Sequence, residues 1–233
     1  MFRTGVRARI GDGEFTWSSS RPAWHGYEIE NKHYISWEAD AHRVQEWAVM
    51  RIPDLLHTED YTRALFNDDW VFRANHTLGA RMNPAGRRQL YDEIRSRKDR
   101  QERLANRPDY PLNYTAVVDE SVLHKMVGSP KIMRHQLHML IDCAGWTDVA
   151  LRVLPATTAP PIGTTGGFTI LEFPGGIEPA MMFAQYPGGV VSEHDRHLVD
   201  QAQQRFDAVL SAALPVHDSM EFIEQLADEI YPQ

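Results

Sequence analysis

Cysteine is almost missing from this chain of 233 residues, where Cys143 stands alone. A single thiol closes no intrachain disulfide and supplies no multi-cysteine zinc site. Cys143 also falls at the end of a helical pattern, where the negative end of the helix dipole raises a thiol's pKa, so it is read as a small buried apolar residue and not as a nucleophile. Long apolar runs are missing too: none approaches the roughly 18 residues that a membrane-crossing helix needs. Residues 1–9 are positively charged but have no apolar stretch behind them, so no secretory leader is expected and a cytoplasmic location is the expectation. Excess positive charge is a third absence. Lys and Arg number 24 against 32 Asp and Glu, a formal net charge of -8, which repels phosphate backbones and argues against direct nucleic-acid binding by this chain alone. Neither a glycine-rich phosphate loop nor a Gly-x-Ser-x-Gly elbow occurs, so nucleotide hydrolysis and serine-hydrolase chemistry lack their marks. No cofactor and no metal is expected.

What the chain does have is periodicity. Three β-branched and aromatic runs, beginning at Tyr114, Asp148 and Phe168, flank an amphipathic segment from Ser129 to Cys143. That pattern reads as a sheet with a helix crossing its face. Ser129 followed by Pro130 is an N-cap with proline at the first helical position, and Met133, Leu137, Leu140 and Ile141 line one face. Further strands are expected over 180–185 and at Val190-Val191, and helices over 195–214 and 217–230.

Ahead of the first strand the pattern is helical. Trp37, Ala41, Val44 and Ala48 recur at i, i+4, i+7 and i+11 and predict a helix that stops before Pro53. Thr58 is placed to cap a second helix with Glu59 and Asp60 in its first turn. Residues 68–82 read as another helix, and Asn83-Pro84 as a stop and restart. The basic stretch 87–103 interleaves Arg87, Arg88, Arg95, Arg97, Lys98, Arg100 and Arg103 with Asp92, Glu93, Asp99 and Glu102, which is the pattern of a solvated helix with near-neighbour ion pairs. Residues 107–111 form a proline-bounded connector, and the glycine-rich stretch 160–167 reads as a mobile link. The expected fold is therefore α+β. An irregular arm over 1–33, with Trp17, Trp24 and Tyr27 packed on the body, precedes one unit over 34–233. In that unit a helical layer (34–106) packs on a small, mostly antiparallel sheet with a crossing helix and C-terminal helices (112–233).

Several phrases of the chain, in order and spacing, carry a resemblance. They include Trp37-Glu-Ala39, Ile52-Pro-Asp-Leu-Leu-His-Thr58 with Asp60-Tyr61, Val118-Asp-Glu120, Val153-Leu-Pro155 and Gly167-Phe-Thr-Ile-Leu171. From Tyr34 onward the chain resembles the C-terminal domain of actinobacterial XRE-type helix-turn-helix regulators, antitoxin-like proteins found beside small acidic partners. The resemblance implies an effector domain. It departs from the family in two places. Residues 1–33 are too few and too rich in glycine to form the usual DNA-reading unit, and a reader encoded upstream of Met1 is one explanation. The family phrase similar to Pro-Gly-Leu-Leu-Gln-Thr is here Pro53-Asp54-Leu55-Leu56-His57-Thr58, which exchanges an amide for an imidazole that titrates near neutrality.

Two functions remain open at this level. The first is a stand-alone domain without its own DNA reader that holds a small organic ligand or a small partner protein, between the sheet and the Trp37 helix. Its candidate ligand-binding residues are Trp37, Asp119, Glu120, Phe168 and Phe173. The second is an enzyme recruited from the same scaffold, with His57, His42 and Glu38 for acid-base work on a small, partly apolar metabolite. A homodimer is compatible with either. His135, His138 and Asp142 fall on one helical stripe, which reads as a polar outer face in preference to a metal site.

Overall fold

The computed structural model describes residues 7–10, 13–16, 34–73, 84–105, 111–158, 166–176, 178–186 and 189–231. Its centre is a six-stranded sheet in the order β5-β4-β3-β6-β7-β8. The strands are β3 (Arg43–Ala48), β4 (Asn113–Asp119), β5 (Val149–Leu154), β6 (Phe168–Glu172), β7 (Met181–Tyr186) and β8 (Gly189–Glu193). A separate two-stranded antiparallel pair, β1 (Arg7–Ile10) with β2 (Gly13–Thr16), lies in the segment expected to be irregular. Whether the aromatics of that arm pack on the body falls outside the described residues, as does most of the glycine-rich link.

The α+β class holds, but the sheet is mixed where a mostly antiparallel one was expected. β3 runs parallel to β4, and β4 to β5, while β6, β7 and β8 join antiparallel. The cause lies in β3. The stripe Trp37-Ala41-Val44-Ala48 is not one helix: helix α1 spans only residues 34–40, and the chain then turns directly into the middle of the sheet. Val44, Gln45, Trp47 and Ala48 are all buried because helices cover both faces of β3. A strand buried on both sides shows no alternation, so its apolar positions fell on helical spacing by coincidence.

Among the described residues one face carries a single helix, α6 (Arg196–Ala212), capped by Asp195, whose carboxylate accepts from the amides of His197 and Leu198. Val199, Ala202, Phe206 and Val209 pack there on Trp47, Val117, Phe168 and Ile170. The other face carries α2 (Glu59–Arg73), α3 (Pro84–Ala105), α5 (Pro130–Cys143) and α7 (Val216–Ile230), and a larger apolar cluster joins them to Val44, Tyr114, Ala116 and Leu171. The short α4 (Glu120–His124) links β4 towards α5. The predicted caps form: Thr58 Oγ1 accepts from the Tyr61 amide at 3.2 Å, and Ser129 Oγ from that of Ile132 at 3.4 Å. Residues 68–73 extend α2 without a break, so no new helix starts at Asp68.

Edge strand β5 is covered and not left as an open template. Leu214 donates to the Val153 carbonyl at 2.9 Å, Ser219 Oγ accepts from the Val153 amide at 3.0 Å, and Arg152 donates to the carbonyls of Ala213 and Leu214. Among the described helices none is long and apolar enough to cross a membrane.

At the opposite end of β3 the backbone of β6 approaches so closely that only glycine fits. A Cβ on Gly167 would lie 2.6 Å from the Trp47 carbonyl oxygen, whereas one on Gly166 would meet nothing within 4 Å. Gly167→Ala is therefore expected to lose about 1–3 kcal/mol of stability and Gly166→Ala to stay within about 0.5 kcal/mol of the parent. Urea unfolding of the two variants side by side measures the difference.

Candidate functional site

Where β3 leaves the sheet, its outer end and the helical layer do not close on each other. A cavity of about 70 Å³ remains, lined among others by Tyr34, Glu46, Arg51, Asp54, Arg100, Thr169 and Phe183. That volume suits a few waters or a small molecule. The sheet supplies its floor. Glu46, across from Thr169 on β6, shares a face with Tyr114 of β4, whose hydroxyl donates to Glu46 Oε2 at 2.6 Å. An aromatic wall stands to one side: the Phe183 ring lies 5.1 Å from that of Tyr34, edge on, and 5.4 Å from that of Trp37.

The roof is ionic. Glu38 and Arg100, only 3% and 4% exposed, form a two-pronged pair with Arg100 Nε and Nη2 donating at 2.8 and 2.6 Å. Burial alone would lower the Arg100 pKa, but the Glu38 carboxylate outweighs it and raises it. The Arg100 guanidinium also sits 5.8 Å from the centre of the Tyr34 ring. Asp54 lies 3.3 Å from Arg51 and 3.7 Å from Arg97, and Arg97 in turn bonds Glu93 at 3.2 Å. Burial would raise the pKa of Asp54, yet Arg51 and Arg97 hold it well below the usual carboxylate range. The basic stretch of α3 is thus not solvated throughout, because Arg97 and Arg100 turn inward to these carboxylates.

Glu46 stands apart in this network. Among the described residues it has no guanidinium partner within 4 Å, and its only hydrogen bond is the one from Tyr114. Burial raises its pKa to about 7 against the opposing Tyr114 bond. Burial likewise raises Tyr34 and Tyr114 well above the ordinary tyrosine value, with Glu38 and Glu46 respectively adding to it. Both phenols therefore remain neutral donors near neutral pH.

The residues singled out from sequence are dispersed. Phe168 lines the cavity, although its side chain packs with Trp47 on the α6 face. Trp37 stands behind Phe183, and Glu38 is committed to Arg100. Phe173 is buried in the larger apolar cluster. Asp119 caps α4 by accepting from the amide and hydroxyl of Ser121, while Glu120 accepts from the Ala156 amide at 2.7 Å. His42 sits at the start of β3, its amide bonded to the Glu172 carbonyl. Of the polar stripe on α5, His135 and Asp142 are exposed and His138 is half-buried.

His57 is sealed, at 2% exposure. Its Nε2–H donates to the Ile52 carbonyl at 2.7 Å, which fixes the tautomer, and Nδ1 lies 3.9 Å from Asp54, beyond hydrogen-bond range. Burial pushes its pKa down to about 3, and the nearby Asp54 only partly opposes this. The imidazole is thus a neutral structural donor and not a titrating base.

Glu46, Tyr34, Asp54, Arg51 and Arg100 were missed as a group. A signal was present: Gln45-Glu46 interrupt the apolar run from Val44 to Val49, and read as a strand that run places a carboxylate inside the protein. A family model described as a domain of unknown function, DUF5753, matches residues 32–225. No curated protein matches the chain.

Two outcomes test the electrostatics. Arg100→Met or Glu38→Gln leaves one buried charge unpaired and should cost about 3–5 kcal/mol, whereas removing both with apolar residues should cost clearly less than the sum, as a double-mutant cycle in urea will read. For Glu46 the pKa is raised on folding, from 4.5 to about 7, so its contribution is fully present below the unfolded value and is lost as pH climbs through the folded one. Glu46→Gln should therefore gain on the parent by on the order of 1–3 kcal/mol between about pH 4 and about pH 8. The His57 contribution, present above its unfolded value and lost as pH falls towards about 3, is common to both proteins and cancels in that difference.

Proposed function

The chain belongs to the DUF5753 family of domains of unknown function, and we propose that this member is a small-molecule-binding domain whose site is the Glu46 cavity. The observation that carries the reading is a carboxylate, Glu46, with no cationic partner among the described residues, in a recess whose other charged groups are paired. Structural carboxylates are normally satisfied when enclosed, and a perturbed acid that faces a cavity is a mark of a binding or reactive site. The resemblance to the effector half of actinobacterial XRE-type regulators supports the same reading, since a sensing half needs a recess that a metabolite can fill. In that setting the domain would report occupancy through α1 and α3, the helices joined by Glu38 and Arg100 directly over the cavity.

The enzyme reading built on His57, His42 and Glu38 draws no support from their placement. His57 is spent on a carbonyl, Glu38 on a guanidinium, and His42 lines no part of the cavity. Catalytic groups must reach a common reacting atom.

Native mass spectrometry of the protein taken directly from its producing cells tests the assignment. The expected result is a retained small molecule that is lost from Thr169→Phe, a variant that fills the cavity from β6. Equal retention by the filled variant would overturn the site. So would a parent chain that retains nothing and whose melting temperature does not move in a metabolite extract of the same cells.

A further inference from the structure

Counting charges around the cavity narrows what fits there. Among the described residues the ionic cluster holds four carboxylates, Glu38, Glu46, Asp54 and Glu93, and three guanidiniums, Arg51, Arg97 and Arg100. Arg100 serves Glu38, while Arg51 and Arg97 serve Asp54, with Arg97 also on Glu93. The unmatched group is Glu46, and it lines the cavity. Its Oε2 accepts from Tyr114, which leaves Oε1 without a hydrogen-bond donor among the described residues. Thr169, directly across the β3–β6 register, lines the same space, and its hydroxyl also has no partner there. A carboxylate oxygen and a hydroxyl that can accept therefore share one floor, beneath the rings of Tyr34 and Phe183. An ammonium or amidinium offers several N–H donors and a positive charge, and aromatic faces tolerate its apolar body.

We propose that the cavity binds a small organic cation, a primary amine or amidine, with its charge on Glu46 Oε1, a further N–H on Thr169 Oγ1, and its apolar part against Tyr34 and Phe183. This deepens the small-molecule reading above and rests on it. An anion is disfavoured, since the guanidiniums that line the space already face carboxylates and Glu46 would repel it. A proton competes for the same oxygen. The other titratable or charged groups around Glu46 are Tyr34 and Glu38 of α1, Tyr114 of β4, Asp54 and Arg51 after β3, and Arg100 of α3, while β6 and β7 present the non-titrating Thr169 and Phe183. Burial brings the Glu46 pKa to about 7, so cation affinity should rise as pH passes through that region.

The experiment titrates the full chain and Glu46→Gln with propylamine and acetamidine, and with propanol and propionate as neutral and anionic counterparts, by NMR at about pH 6 and about pH 8. The cations should bind the parent at least about tenfold more tightly than propanol at the higher pH and weaken by up to about tenfold at the lower. Glu46→Gln should lose both the preference and the pH dependence. The pH dependence of the parent alone keeps the test decisive if the variant does not fold. Equal binding of propanol and the cations, or tighter binding of propionate, would overturn the cation inference and leave the ligand reading standing. Failure of all four probes to bind would remove both.

Discussion

The arrangement over the sheet depends on the ion pair between Glu38 and Arg100. Two charges removed from water are costly, and their attraction repays that cost only when geometry and hydrogen bonding are good. Here both carboxylate oxygens accept from one guanidinium, at 2.8 and 2.6 Å. The pair fixes α3 against α1 at one position. It also engages the Arg100 guanidinium, which lines the cavity, so Glu46 has no ion-pair partner among the described residues. An apolar pair in its place would pack as well but would let the two helices slide. The salt bridge contributes specificity of placement more than net stability.

A second constraint lies next to it. Residues 52–58 run through the interior with one 3-10 turn, Asp54–Leu56, as their regular structure, a course that leaves several buried peptide groups in need of partners. Side chains supply them. Gln136 of α5 donates to the Leu56 carbonyl at 2.6 Å and accepts from the Thr58 amide at 2.7 Å. Gln101 of α3 donates to the carbonyls of Leu55 and His57, and His57 donates to that of Ile52. The His57 imidazole therefore does here what the amides of Gln101 and Gln136 do beside it. Its basicity, which made it attractive as a catalyst, is suppressed by the burial that the structural role demands.

Much of this was legible in the chain. Ser129-Pro130 and Thr58 marked helix starts because a hydroxyl that accepts from free amides has a fixed position relative to them. The runs from Tyr114, Asp148 and Phe168 became β4, β5 and β6 almost to the residue. β3 was not legible, and with it went the parallel pairing and the site. Periodicity reports which face meets water, and a strand enclosed by helices on both sides meets none. Arg97 and Arg100 were hidden for a related reason: an i, i+4 pattern of opposite charges on a helix reads the same whether its partners are neighbours on that helix or carboxylates across a seam.

Misreading β3 as helix placed Glu46 on an outer face, where a carboxylate needs no explanation. In the strand the same residue lies half-buried between Val44 and Ala48 on the floor of the cavity, and its presence there needs one. Glutamate is poorly suited to such a position on stability grounds, since enclosing it disfavours the charged form. A glutamine would also accept from Tyr114, with no charge to desolvate. What a carboxylate offers in addition is a charge that appears when something positive arrives and disappears into a proton when nothing does. That property is of no use to a packed core, and it suits the cation-binding role proposed for this recess.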